Sequence, residues 1–108
     1  MKKDEETALA VGLFDRITDA VWDMDFIATK RLYHCTAHVS IYGNGKVQYM
    51  VLTSYNTVIS VYDAETCTVS QCLRAVYGYT ATSAKHDSKF LGWLRENGYP
   101  VTTIWRAY

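Results

Sequence analysis

Apolar residues recur at intervals of three and four along the first part of the chain: Leu9, Leu13, Ile17, Ala20, Val21 and Met24. That period lays an apolar stripe along one side of an α-helix and predicts a helix over about 4–24. Asp15, Asp19 and Asp23 are each four residues apart and share another side of it. Asp4, Glu5 and Glu6 suit the positive end of its dipole.

From His34 the period shortens to that of strands. His38-Val39-Ser40-Ile41-Tyr42 alternates, and Gly43-Asn44-Gly45-Lys46 reads as a hairpin turn. Val47–Leu52 follows, then Thr57–Tyr62, a turn at Asp63–Thr66, and Cys67–Leu73. Strands are therefore expected within residues 34–73, joined as an antiparallel meander. A second helix is predicted over about 83–97, with Thr82 or Ser83 as N-cap, and Phe90, Leu91, Trp93 and Leu94 facing the core. It should stop at Asn97-Gly98, with Pro100 beyond. Residues 101–105 could add an edge strand. The expected fold class is α+β: a sheet of four to five strands packed with an N-terminal and a C-terminal helix, both on one face.

Length and composition narrow this little. With 108 residues the chain has room for one domain, 1–108, and 49% hydrophobic against 20% charged residues excludes wholesale disorder. No apolar run follows Met1-Lys2-Lys3-Asp4, and none elsewhere nears the ~20 residues of a membrane span, so neither a secretory signal nor a membrane contact is expected. Cys35, Cys67 and Cys72 are an odd number without a CxxC pair, which suits a reducing compartment. The expected location is the cytoplasm.

Net charge is zero but unevenly placed. Residues 1–25 carry seven acids against three bases, a net of −4, and the remainder carries +4. Such asymmetry bears on partners and self-association rather than on fold. The Asp15-Asp19-Asp23 row is either a solvated face or a docking surface for a basic partner, imitating spaced phosphates. Tyr42, Tyr49, Tyr55, Tyr62, Tyr77 and Tyr79 read mostly as half-buried sheet residues, and those that the core does not use, with Tyr55 and Tyr79 the candidates, suit a protein interface.

Thr82, Ser83, Lys85 and His86 form the oddest local run. Hydroxyls, a lysine, a histidine and free backbone N–H groups at a helix start suit a phosphate or carboxylate. The same residues also fit an ordinary capped helix with Lys85 in water. His34, Cys35 and His38 are ligand types that zinc accepts, but in a strand Cys35 faces away from the two histidines, and no metal or cofactor is expected. None of the glycine-rich, metalloprotease or serine-nucleophile signatures is present, so no catalysis is expected.

Ser54-Tyr55-Asn56-Thr57, followed by the hydrophobic run to Asp63, and Tyr79-Thr80-Ala81-Thr82-Ser83-Ala84-Lys85-His86, followed by Phe90-Leu91, carry a resemblance. Over roughly residues 47–97 the chain resembles small uncharacterised proteins encoded by phages of Firmicutes bacteria, whose corresponding segments read Ser-Tyr-Asn-Thr and Tyr-Ser-x-Thr-Thr-x-Lys-His. By analogy the resemblance implies an inhibitor of host defence of the anti-CRISPR kind, acting in the host cytoplasm. Its partner would be a host protein with a basic surface, such as a CRISPR effector nuclease. A nucleic-acid or nucleotide-phosphate binding module at the second helix start is the alternative, and a homodimer is compatible with either.

Overall fold

The computed structural model describes residues 2–73 and 81–107. Helix α1 (Lys3–Ala20) has Lys2 at its N-cap with no side-chain cap, and Asp4, Glu5 and Glu6 in its first turn balance the exposed N–H groups electrostatically. Its buried side chains are Ala10, Leu13, Phe14 and Ile17. The stripe is thus turned from the expected one: Ala10 and Phe14 enter the core, while Leu9 is 39% exposed. The α-helix also stops before the expected residue 24, tightening into a 3-10 turn at Val21–Asp23.

The sheet has six strands in the order β1 (Phe26–Arg31), β2 (Ala37–Tyr42), β3 (Tyr49–Ser54), β4 (Thr57–Asp63), β5 (Thr68–Gln71) and β6 (Thr103–Arg106). β1 to β5 form an antiparallel meander. β6 pairs parallel to β5, because the chain first crosses back through helix α2 (Ala81–Glu96). The class is α+β as expected, but the strand count is higher. β1 lies ahead of the expected 34–73 window, and the tail does supply an edge strand.

Turn chemistry follows the glycines. A Cβ on Gly43 would collide with the Lys46 carbonyl, so only glycine closes the β2–β3 loop in this way. Helix α2 ends in a Schellman motif: Tyr99 N–H donates to the Leu94 carbonyl at 2.8 Å and Gly98 N–H to that of Arg95 at 3.2 Å, with Gly98 at φ 85.

The two helices lie on opposite faces of the sheet, not on one. Neighbouring residues of a strand point to opposite sides, and β3 is apolar on both. Met50 and Leu52 join Ile59, Phe90, Trp93 and Leu94 under α2. Val51 joins Val61, Cys72, Ala107 and the α1 residues Ala10, Leu13, Phe14 and Ile17. A sheet buried on two sides is the economical place for such side chains, each worth roughly 1.5–3 kcal/mol on full burial. Ser70 fixes the α1 layer by donating its hydroxyl to the Ala10 carbonyl. Tyr62 ties β4 to the stretch after α2 by donating to the Pro100 carbonyl at 2.7 Å.

Candidate functional site: an acidic and aromatic groove

On its face of the sheet α1 packs chiefly over β4, β5 and β6. A groove of about 380 Å³ opens where the helix ends. Phe14, Asp15, Thr18 and Trp22 form one wall, and Ser40, Tyr42, Val51, Thr53 and Val58 form the floor. Thr18 returns its hydroxyl to the Phe14 carbonyl at 3.0 Å. Beside the groove Phe26 stands edge-on to Tyr42, ring centroids 5.8 Å apart.

Trp22 is 86% exposed, in the 3-10 turn at the groove mouth. Phe26 and Ile27 are also exposed. Large apolar side chains clustered in water mark contact surfaces rather than core. Of the predicted acids, Asp15 lines the groove, and Asp19 and Asp23 are exposed along the helix and the 3-10 turn. Arg16 does not offset them, because its guanidinium reaches Asp63 across the sheet, 3.5 Å away. An exposed indole on a groove that one carboxylate lines, with two further acids exposed on the same segment of chain, can bury apolar area and select a cationic partner at once.

Tyr55, a candidate contact residue, is exposed at the β3–β4 turn, with φ 56. A non-glycine residue in that left-handed region carries local backbone strain. Its ring lies 6.2 Å from that of His86, well away from α1 in the chain. Tyr79 falls outside the described residues.

The four residues of the second helix start do not share a surface. All lie inside α2, past its first residue, with Thr82 and Lys85 exposed. Ser83 and His86 turn inward to Ser54: His86 Nδ1 is 2.7 Å from its hydroxyl and Ser83 Oγ 3.4 Å. Burial, then the Lys89 charge, pushes the His86 imidazole below its ordinary value and keeps it neutral. Ser54 and His86 have the types and distance of a nucleophile and base, but they are 2% and 4% exposed. Their hydrogen bond pins α2 to the β3 end.

Asp87, next in the helix, is buried, and desolvation lifts its carboxyl to about 7 against the opposing charge of Arg106. Gln71 joins this corner, donating its amide to the Asp87 carbonyl and accepting from Arg106 Nε, both at 3.0 Å.

The cysteines lie apart. Cys35 sits in the β1–β2 turn 3.4 Å from the Lys89 ammonium, and Cys67 in the β4–β5 turn. Cys72 lies beneath α1, its thiol pushed up by burial. Among the described residues no three His, Cys, Asp or Glu side chains converge as metal ligands. No described helix is long and apolar enough to cross a membrane.

Comparison with protein-family models, with curated proteins and with solved structures finds no match for the chain.

Sequence reasoning missed Trp22, Phe26 and the groove. The available signal was the strict alternation Trp22-Asp23-Met24-Asp25-Phe26, a period of two that breaks the helical stripe at its end.

Proposed function

We propose that the protein is a non-catalytic binder whose α1 end docks on a basic surface of another protein. The observation that carries this reading is Trp22, 86% exposed at the mouth of a groove lined by Asp15 and flanked by Asp19 and Asp23. The aromatics supply buried contact area, and the carboxylates supply attraction and register. The Ser54–Thr57 and Tyr79–His86 motifs carry the resemblance to phage proteins and give the partner: a host defence protein of the RNA-guided nuclease kind, met in the host cytoplasm. The acidic row then enters the channel that guide and target nucleic acid would occupy.

Biolayer interferometry against a panel of RNA-guided nucleases, each with and without guide RNA, tests the reading. Wild-type protein is expected to bind at least one, more tightly without guide, and Trp22→Ala to lose that binding. Equal binding by Trp22→Ala refutes the docking mode. The second reading, nucleic-acid binding at the α2 start, draws on the exposure of Thr82 and Lys85. Salt-dependent binding of labelled DNA or RNA, lost in Lys85→Glu, would favour it instead.

A further inference from the structure

The groove at the end of α1 has the size of a pocket for one long side chain. Its volume, about 380 Å³, lies near the lower end of the roughly 300–1,000 Å³ of ligand clefts. Asp15, Thr18 and Trp22 follow one another at spacings of three and four, so they line one side of the helix end. Ser40 and Tyr42 alternate on β2, and Thr53 stands on the neighbouring β3, all three in the floor. One charge lines this space, the Asp15 carboxylate, and no base does. Hydroxyl oxygens make up much of the remaining polar lining. The Thr18 hydroxyl donates to the Phe14 carbonyl at 3.0 Å, which leaves its oxygen as an acceptor toward the groove. The Ser40 hydroxyl lies 3.4 Å from that of Thr29 and keeps accepting capacity as well.

One carboxylate, several acceptor oxygens and an exposed indole call for a flat cation with many donors. A guanidinium is that group. Two of its N–H bonds can meet one carboxylate side by side, the others can reach hydroxyl oxygens, and its flat face stacks on an aromatic ring. Trp22, the largest ring of the lining, offers such a face. An ammonium is a compact, strongly hydrated charge without a flat face, and it uses the carboxylate but not the indole to the same extent. A divalent cation needs more carboxylates than Asp15 alone supplies. An anionic ligand meets like charge there. A neutral sugar could use the indole and the hydroxyls, but the net charge of Asp15 does not attract it.

We propose that the groove is a pocket for an arginine side chain of the docked protein, with the guanidinium paired to Asp15 and stacked on Trp22. The proposal rests on the reading of the α1 end as a docking surface, and it names the group which that surface takes. Asp19 and Asp23 lie outside the lining, so they add attraction for any base, whereas the groove distinguishes arginine from lysine.

Proton–nitrogen correlation NMR of the full chain tests it, by titration at low salt with blocked Ala-Arg-Ala, blocked Ala-Lys-Ala and glucose. The arginine peptide is expected to shift the Trp22 indole N–H and the backbone amides of Thr18, Ser40 and Thr53, with half-saturation at millimolar concentration. It should bind about tenfold or more tightly than the lysine peptide. Asp15→Asn, at an exposed position, should weaken arginine binding about tenfold or more while the rest of the spectrum stays that of the folded chain. An arginine peptide that moves none of these signals overturns the proposal. So does a lysine peptide or glucose that moves them as far at the same concentration, or a folded Asp15→Asn that binds arginine as wild type does. Nuclease binding that Trp22→Ala abolishes, beside a groove indifferent to arginine, refutes the pocket and leaves the docking surface standing. Arginine seated in the groove, beside nuclease binding that survives Trp22→Ala, refutes the docking surface and leaves the pocket.

Discussion

Asp87 holds a carboxyl in a place that disfavours its charge, and replacing it with Asn keeps the shape while removing the titration. The side chain is 9% exposed, and its Oδ1 meets no hydrogen-bond partner among the described residues. In the folded protein the carboxyl titrates at about 7, against an ordinary 3.8. Between those values the folded state keeps a proton that the unfolded chain has released, so stability falls as pH rises through that window. At about 1.36 kcal/mol per pH unit, the charged carboxyl costs the fold roughly 4 kcal/mol above neutrality. That figure already includes the attraction to Arg106, so Asn, uncharged at every pH, is expected to gain up to about 4 kcal/mol. His86 works in the opposite direction: its lowered value means stability is lost as pH falls through the ordinary imidazole range. Comparing Asp87→Asn with wild type at each pH cancels that contribution, because His86 is present in both. Urea denaturation near pH 4.5 and pH 8 is the assay. Asp87→Asn is expected to be markedly more stable at the higher pH and close to wild type at the lower. A variant no more stable than wild type at pH 8, or a difference that does not change with pH, refutes the reasoning.

Other positions give sharper mechanical tests. Phe90→Ala opens the fully buried α2 side of the core and should cost about 3–5 kcal/mol in the same denaturation assay. Gly98→Ala forces a side chain into the left-handed C-cap and should cost about 1 kcal/mol, visible as a lower thermal midpoint. Ser54→Ala removes the hydroxyl that His86 Nδ1 meets at 2.7 Å, and the unpartnered ring nitrogen should destabilise the fold by about 1–3 kcal/mol. Trp22→Ala should leave stability within about 0.5 kcal/mol, since the indole is 86% exposed, while removing partner binding.

Elements whose signals are local could be read from the chain. The β2–β3 loop, the Asn97-Gly98 helix stop and the inward set Phe90, Trp93 and Leu94 depend on residues near one another in sequence. β1 escaped because an edge strand exposed on both sides has no apolar alternation to show. Both helices were expected on one face, although Met50-Val51-Leu52 carried the contrary signal: an unbroken apolar run is what a strand buried on two sides requires. The α2 start invited an anion site because its hydroxyls and histidine are legible in sequence. The contact of Ser83 and His86 with Ser54 joins residues about thirty positions apart and has no local signature. The acidic row was visible at once. Trp22, which gives that row an apolar centre, was read through the helical period and passed over.

The central claim is that carboxylates along α1 carry attraction to a basic partner. Its most direct measurement is the affinity of Asp15→Asn/Asp19→Asn/Asp23→Asn for that partner at low and high salt, beside wild type. The account requires a weaker complex whose affinity scarcely responds to salt, against a wild-type affinity that falls steeply. Identical affinity and identical salt response in the two proteins would contradict it.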